Sequence, residues 1–232
     1  MRYQGGKARA AKHIAAAIKA TGVAGPFWEP FCGGLSMSVA LAEAFGAGLH
    51  SDANAALIAL YAAHAAGWRP PAVVTEAEYA AARRLPDSDP LKAFCAVGCS
   101  FGGKWFGGYA RDATGMDYCG AAGRALARDV PKLADVPFVA SFLATAVEPA
   151  TFGFLYCDPP YAGTTGYAGA GAFDSAAFWR KAEAWSGVCP VFVSEYAAPP
   201  GWRAIWERAQ TTCLGAIGKT KAAAVERLFV HG

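Results

Sequence analysis

The chain has 232 residues, a formal net charge of +3 and 54% hydrophobic residues, which suits one large α/β domain with an insertion and excludes a disordered protein. Met1-Arg2-Tyr3-Gln4 opens it without an apolar leader, and the longest apolar stretch, near Val136 to Val147, is too short to span a bilayer. A cytoplasmic location and no membrane partner are therefore expected. The seven cysteines are odd in number and lie mostly in apolar segments such as Phe94-Cys95-Ala96-Val97, as reduced core thiols do. Cys95 and Cys99 share a helical face but have no neighbouring histidine or cysteine pair to complete a metal site, so no metal is expected.

Lys7 to Thr21 has the apolar spacing of an amphipathic helix. Phe27-Trp28-Glu29 is a short apolar approach to Gly33-Gly34, and Leu35 to Phe45 continues with helical spacing. Strand, glycine loop and helix in that order make a nucleotide site. Neither a G-x-G-x-x-G fingerprint nor a Walker lysine is present, so a nucleoside smaller than a dinucleotide or a triphosphate fits better. The next apolar stretch, Ala47 to His50, leads into Ser51-Asp52-Ala53-Asn54. An acidic residue such as Asp52 at a strand's carboxyl end can take both hydroxyls of a ribose, which suits S-adenosylmethionine.

Gly67-Trp68-Arg69-Pro70-Pro71 breaks this pattern and starts a different unit. Thr75-Glu76-Ala77-Glu78 predicts a capping box opening a helix to about Leu85, and Leu91 to Phe101 predicts a second, apolar helix. Between Lys92 and Lys132 there are six basic residues against three acids, which equals the whole net excess. Within that segment, Gly102-Gly103-Lys104-Trp105-Phe106-Gly107-Gly108-Tyr109-Ala110-Arg111 sets aromatics and cations between glycine pairs. They are expected to project from a mobile loop, where Trp105 and Tyr109 can stack on bases and Lys104 and Arg111 can reach a phosphate or a guanine edge. The alternative is a glycine-rich hairpin whose aromatics seal the insertion against the main domain. A further helix ends near Pro131, and Pro137 to Phe142 returns the chain to sheet.

Phe154-Leu155-Tyr156-Cys157 reads as a buried parallel strand, and Asp158-Pro159-Pro160-Tyr161 ends it in a rigid extended turn displaying one carboxylate and one aromatic ring. Such a turn can hold a planar amine. Asp158 accepts one N–H bond, the Pro159 carbonyl accepts the other, and Tyr161 stacks on the attached ring. Ser175 to Trp185 then predicts a helix, Val191 to Ser194 a strand, and the alternation from Trp202 onward finishes the sheet.

Taken in order, Tyr3-Gln4-Gly5-Gly6-Lys7, Glu29-Pro30-Phe31-Cys32-Gly33-Gly34, Ser51-Asp52-Ala53-Asn54 and Asp158 to Tyr161 resemble the Dam-like DNA N6-adenine methyltransferases, particularly the small versions carried by bacteriophages. The resemblance implies a Rossmann-like, mostly parallel, seven-stranded methyltransferase sheet over residues 1–66 and 137–232, with a mainly helical target-recognition insertion over 67–136. It implies S-adenosylmethionine as cofactor, held by Tyr3, Lys7, Glu29, Phe31, Cys32, Gly33, Gly34, Asp52 and Asp158, with Tyr3 and Lys7 closing over its methionine end. The catalytic residues would be Asp158, Pro159, Pro160 and Tyr161. Lys219-Thr220-Lys221 resembles the family's last loop, which would add Lys219 and Lys221 to Lys104, Trp105, Tyr109 and Arg111 as DNA contacts. Ser194-Glu195-Tyr196 departs from the Ser-Asn pattern of the enterobacterial type. The expected activity is site-specific methylation of adenine N6 in double-stranded DNA, in a bacterial cell or a phage-infected host, with no obligate protein partner. An RNA or protein-amide methyltransferase, or a non-catalytic DNA-binding relative, is the alternative. Protein-directed relatives usually carry asparagine where Asp158 stands, and a non-catalytic relative would be expected to have lost the Asp158 motif or Gly33-Gly34.

Overall fold

Residues 1–111, 115–133, 138–139, 147–161, 173–211 and 223–232 are described by the computed structural model. Strands β1 (Phe27–Glu29), β2 (Gly48–Ser51), β3 (Phe138–Val139), β4 (Phe154–Cys157), β5 (Val191–Glu195), β6 (Trp202–Thr211) and β7 (Ala223–His231) form a seven-stranded sheet in the order β3-β2-β1-β4-β5-β7-β6. The pairs among the first five strands are parallel. Strand β7 runs antiparallel between β5 and β6. This is the mostly parallel α/β sheet expected of a Rossmann-like methyltransferase.

The central strands are buried throughout because helices cover both faces, which is why they read as continuous apolar runs. Successive side chains nevertheless take opposite sides. Phe27, Phe154, Tyr156 and Phe192 pack with Ile14 and Ile18 of α1 (Ala11–Ala20) and Leu41 of α2 (Ser36–Phe45). Trp28, Leu155, Cys157 and Val193 meet Phe178, Ala182 and Trp185 of α7 (Ser175–Ser186) on the other side.

A third core lies under the segment between β2 and β3. Helix α3 (Ala55–Ala65), capped by Asn54 through bonds to the Ala56 and Leu57 amides, contributes Leu57 and Tyr61. Against these pack Tyr79 of α4 (Glu76–Ala82), Phe94, Cys95, Cys99 and Leu126 of α6 (Tyr118–Asp129). The Thr75 capping box forms as its sequence predicts. The single helix expected over Leu91 to Phe101 instead forms α5 (Pro90–Ala93) and a π-helical turn over Phe94–Gly98. All five residues of that turn are buried, so core packing on every side overrides regular helix geometry. Cys95 and Cys99 serve that packing, at 0% and 2% exposure. Of the strand expected over Pro137 to Phe142, Phe138 and Val139 pair with β2, and the rest lies outside the described residues. Among the described residues no helix is long and apolar enough to cross a membrane.

Candidate active site

The chain leaves β1 toward β2 and leaves β4 toward β5, so the β1/β4 boundary is the switch point of the sheet. Open α/β sheets bind ligands in the crevice outside the strand carboxyl ends at such a point. Three of the four sequence motifs converge there: the glycine turn follows β1, Asp52 follows β2, and Asp158 to Tyr161 follow β4. The fourth, Tyr3 to Lys7, lies across the glycine turn.

Backbone bonds tie the first two together. Asp52 Oδ2 accepts from the Gly33 amide and Oδ1 from the Asn54 amide, both at 2.9 Å. Burial pushes its carboxyl up to about 6 despite those two donors. With one amide donor on each, both oxygens keep further acceptor capacity, which is what two adjacent ribose hydroxyls need. The Tyr61 hydroxyl donates to the Gly33 carbonyl at 2.5 Å, fixing the turn from below. Leu35, 1% exposed, holds a left-handed backbone (φ 64°) at the start of α2, a strained conformation that its burial enforces. Tyr3 lies so close over Gly34 that a Cβ there would stand 2.5 Å from the Tyr3 Cβ. Glycine is required for that approach.

Glu29 and Phe31 serve this turn from inside the protein. Glu29, 1% exposed, accepts from Ser38 Oγ at 2.5 Å and contacts His50 Nδ1 at 3.0 Å. Phe31 packs edge-on against Phe178 beneath the sheet end. Cys32 is buried, and burial pushes its thiol well up, so it remains protonated.

Lys7 Nζ lies 2.7 Å from Asp158 Oδ1 and 3.3 Å from Glu226. Burial opposes the Lys7 charge, but the two carboxylates hold its ammonium above the ordinary value. Burial pushes the Asp158 carboxyl up to about 6, with Lys7 pulling it back down. Tyr161 donates its hydroxyl to Glu226 Oε1 at 3.0 Å, its ring meets Tyr196 edge-on at 4.5 Å, and Lys7 Nζ stands 4.6 Å from the ring centroid. Burial also raises the Tyr161 phenol, so it stays a neutral donor. A cavity of about 1130 Å³ opens over the N-terminal segment and the turn, lined by Tyr3, Lys7, Asp158, Pro159, Pro160 and Tyr161. Arg9, Lys12 and Arg208 line the same cavity, and sequence reading singled out none of them.

The glycine-aromatic loop corrects one expectation. Its rings do not project: Trp105, Phe106 and Tyr109 pack against the insertion core, and the Tyr109 hydroxyl donates to the Val74 carbonyl at 2.7 Å. Backbone bonds from Phe101 to Gly108 and from Ala110 to Cys99, both 2.9 Å, knit it into a hairpin, so the sealing role describes its aromatics. The large apolar cluster available beneath outweighs the freedom of the glycines. Gly103 has a left-handed backbone and touches the Arg2 to Tyr3 peptide, and its carbonyl accepts from the Gln4 amide at 3.1 Å. The loop therefore abuts the segment that carries Tyr3 and Lys7. Its exposed side chains are Lys104, Arg111, which pairs with Glu76, and Phe101, 62% exposed, which the sequence reading passed over. Lys219 and Lys221 lie outside the described residues.

Tyr196 and Glu226, to which the sequence motifs gave no role, add to the surroundings of Asp158 and Tyr161. An acidic residue within the apolar run Val225 to Val230 was the available signal. Curated proteins give no match to the chain. The family model of the D12 class N6 adenine-specific DNA methyltransferases matches residues 3–89, the stretch that carries Tyr3, Lys7, the glycine turn and Asp52, and it is this family that the chain is similar to.

Proposed function

We propose that this protein transfers a methyl group from S-adenosylmethionine to N6 of an adenine flipped out of double-stranded DNA. The observation that carries the reading is the Asp158 carboxylate at the end of β4, tied at 2.7 Å to a Lys7 ammonium that also stands 4.6 Å from the Tyr161 ring centroid, across the switch point from the glycine turn and Asp52. S-adenosylmethionine, when bound, supplies an electrophilic methyl group on a sulfonium sulfur. Asp52 would hold its ribose, and Gly33 and Gly34 would let it lie against backbone under Tyr3.

The adenine amino nitrogen is a poor nucleophile because its lone pair is delocalised into the ring. Asp158 and the Pro159 carbonyl, accepting its two N–H bonds, would draw the nitrogen toward a pyramidal geometry by positioning and electrostatic stabilisation. With Oδ1 beside Lys7, Oδ2 is the Asp158 oxygen left for the base. Asp158, ionised at neutral pH, can also take the proton that the nitrogen sheds. A stacked base is out of reach, so flipping costs a few kcal/mol, of which stacking on Tyr161 returns about 1 to 3 kcal/mol. Exposed Lys104, Arg111 and Phe101 of the hairpin, with Arg9 and Lys12 at the cavity, supply cations and a ring for the duplex.

Long-read sequencing of plasmid DNA from cells expressing the protein tests this directly. N6-methyladenine in a defined sequence context is the expected result. Unmodified adenine throughout would overturn the reading.

A further inference from the structure

Strand β7 carries a charge inside the sheet. Glu226 is 0% exposed, and a carboxylate so buried is tolerated only when paired. Two of its partners are members of the proposed site: Oε1 accepts from the Tyr161 hydroxyl at 3.0 Å and lies 3.3 Å from Lys7 Nζ. The Tyr161 ring is thereby held at its hydroxyl end by Glu226 and meets Tyr196 in a T-shaped contact at 4.5 Å. Lys7 is held between Glu226 and Asp158 Oδ1.

We propose that Glu226 is the positioning residue of the catalytic turn, one buried oxygen fixing both the Tyr161 ring on which a flipped base would stack and the Lys7 cation that occupies Asp158 Oδ1. This rests on the adenine-methylating reading of the site. Without the carboxylate, the Tyr161 ring loses its hydroxyl anchor, and Lys7 keeps only Asp158 and the Gly5 carbonyl, 3.3 Å away. The charged and titratable groups around Asp158 are Lys7 from the N-terminal segment, Glu29 from β1, Tyr156 from β4, Tyr161 from the turn, Tyr196 after β5 and Glu226 from β7. Both Glu226 and Glu29 oppose Asp158 ionisation, Glu226 the more strongly.

Three variants of the full chain separate positioning from mere packing. Glu226→Gln keeps the shape and an acceptor for the Tyr161 hydroxyl but removes the charge, Glu226→Leu removes both, and Tyr161→Phe removes only the hydroxyl. Two quantities are read: the Asp158 titration by carboxyl carbon NMR in the ligand-free protein, and kcat and KM for methyl transfer to plasmid DNA. Glu226→Gln is expected to move the Asp158 titration to lower pH, since a neighbouring negative charge is gone, with KM for DNA within about twofold. Glu226→Leu and Tyr161→Phe are expected to raise KM for DNA on the order of tenfold, within the range of one lost stacking contact. An unmoved Asp158 titration in Glu226→Gln, or an unchanged KM in both other variants, would overturn the proposal. If the parent protein transfers no methyl to DNA, the reading of function fails, and the ligand-free titration still decides the role of Glu226.

Discussion

Lys7 Nζ lies 2.7 Å from Asp158 Oδ1, so the first and last of the sequence motifs meet as an ion pair in the lining of the cavity. The pair has a chemical consequence. Asp158 is desolvated enough for its carboxyl to rise to about 6, yet Lys7 keeps it from rising further, and it remains ionised at neutral pH. An acceptor with one oxygen committed and one left over suits one N–H of a planar amino group.

Asp158→Ala is expected to fold and to lose methyl transfer. Losing an oriented acceptor of this kind costs about 3 to 4 kcal/mol, or on the order of 10² to 10³ in rate. Incorporation of labelled methyl groups into DNA measures it, with circular dichroism to verify the fold. Near-normal transfer would remove Asp158 from the reaction.

The raised carboxyls make activity and stability respond oppositely to pH. Asp52 and Asp158 both sit near 6 in the folded protein against an ordinary value of 3.8, so the folded state binds more protons than the unfolded chain across that window. Their contribution to stability is present at the acid end and is lost as pH rises through about 6. Activity is expected to rise over the same range, with the acid limb of kcat/KM centred near 6 as Asp158 of the free enzyme ionises. The melting temperature of the parent relative to Asp158→Asn should fall between roughly pH 4 and 6 and stay level above pH 7. An acid limb centred near 4 would contradict the burial of Asp158.

Cofactor binding should be separable from DNA binding. Asp52→Ala removes the acceptor shared by the Gly33 and Asn54 amides as well as the proposed ribose contact. Loss of charged hydrogen bonds of this type costs about 1.5 to 3 kcal/mol each, so S-adenosylmethionine affinity should fall at least about tenfold while DNA affinity holds. Gly34→Ala should act in the same direction, because the added methyl forces Tyr3 off the turn. Calorimetric titration with S-adenosylmethionine checks both, and unchanged affinity in Asp52→Ala would exclude it from the site.

The hairpin after Phe101 predicts two different phenotypes from neighbouring residues. Arg111→Ala, at an exposed cation, should weaken DNA binding by about 1 to 3 kcal/mol and relax sequence preference if the guanidinium reads a base, or lower the salt slope evenly if it meets a phosphate. Tyr109→Phe loses a hydrogen bond to the Val74 carbonyl and should cost about 0.5 to 1.5 kcal/mol of stability with the methylated context unchanged. Sequencing of modified plasmid and thermal unfolding distinguish them. A changed context in Tyr109→Phe would return its ring to the DNA interface.

The site motifs and most of the elements were legible in the sequence because their causes are local. Buried parallel strands appear as apolar runs at Phe154 to Cys157 and Val191 to Val193, a capping box is spelled out by Thr75 and Glu78, and two prolines stiffen the turn after Asp158 whatever surrounds it. The convergence of Gly33 with Asp52 follows from two strand ends that the chain order already places side by side. What lies beyond local chemistry was decided by the tertiary structure. Strand β7 enters between β5 and β6, and only that placement brings Glu226 to Tyr161 and Lys7. The glycine-rich hairpin has a composition that permits either projection or packing, and the apolar floor built by α3, α4 and the π-helical turn drew its aromatics inward. Periodicity and turn residues set each segment's conformation, but strand order and the size of the core under a loop arise from many distant contacts at once, and no short stretch of sequence contains them.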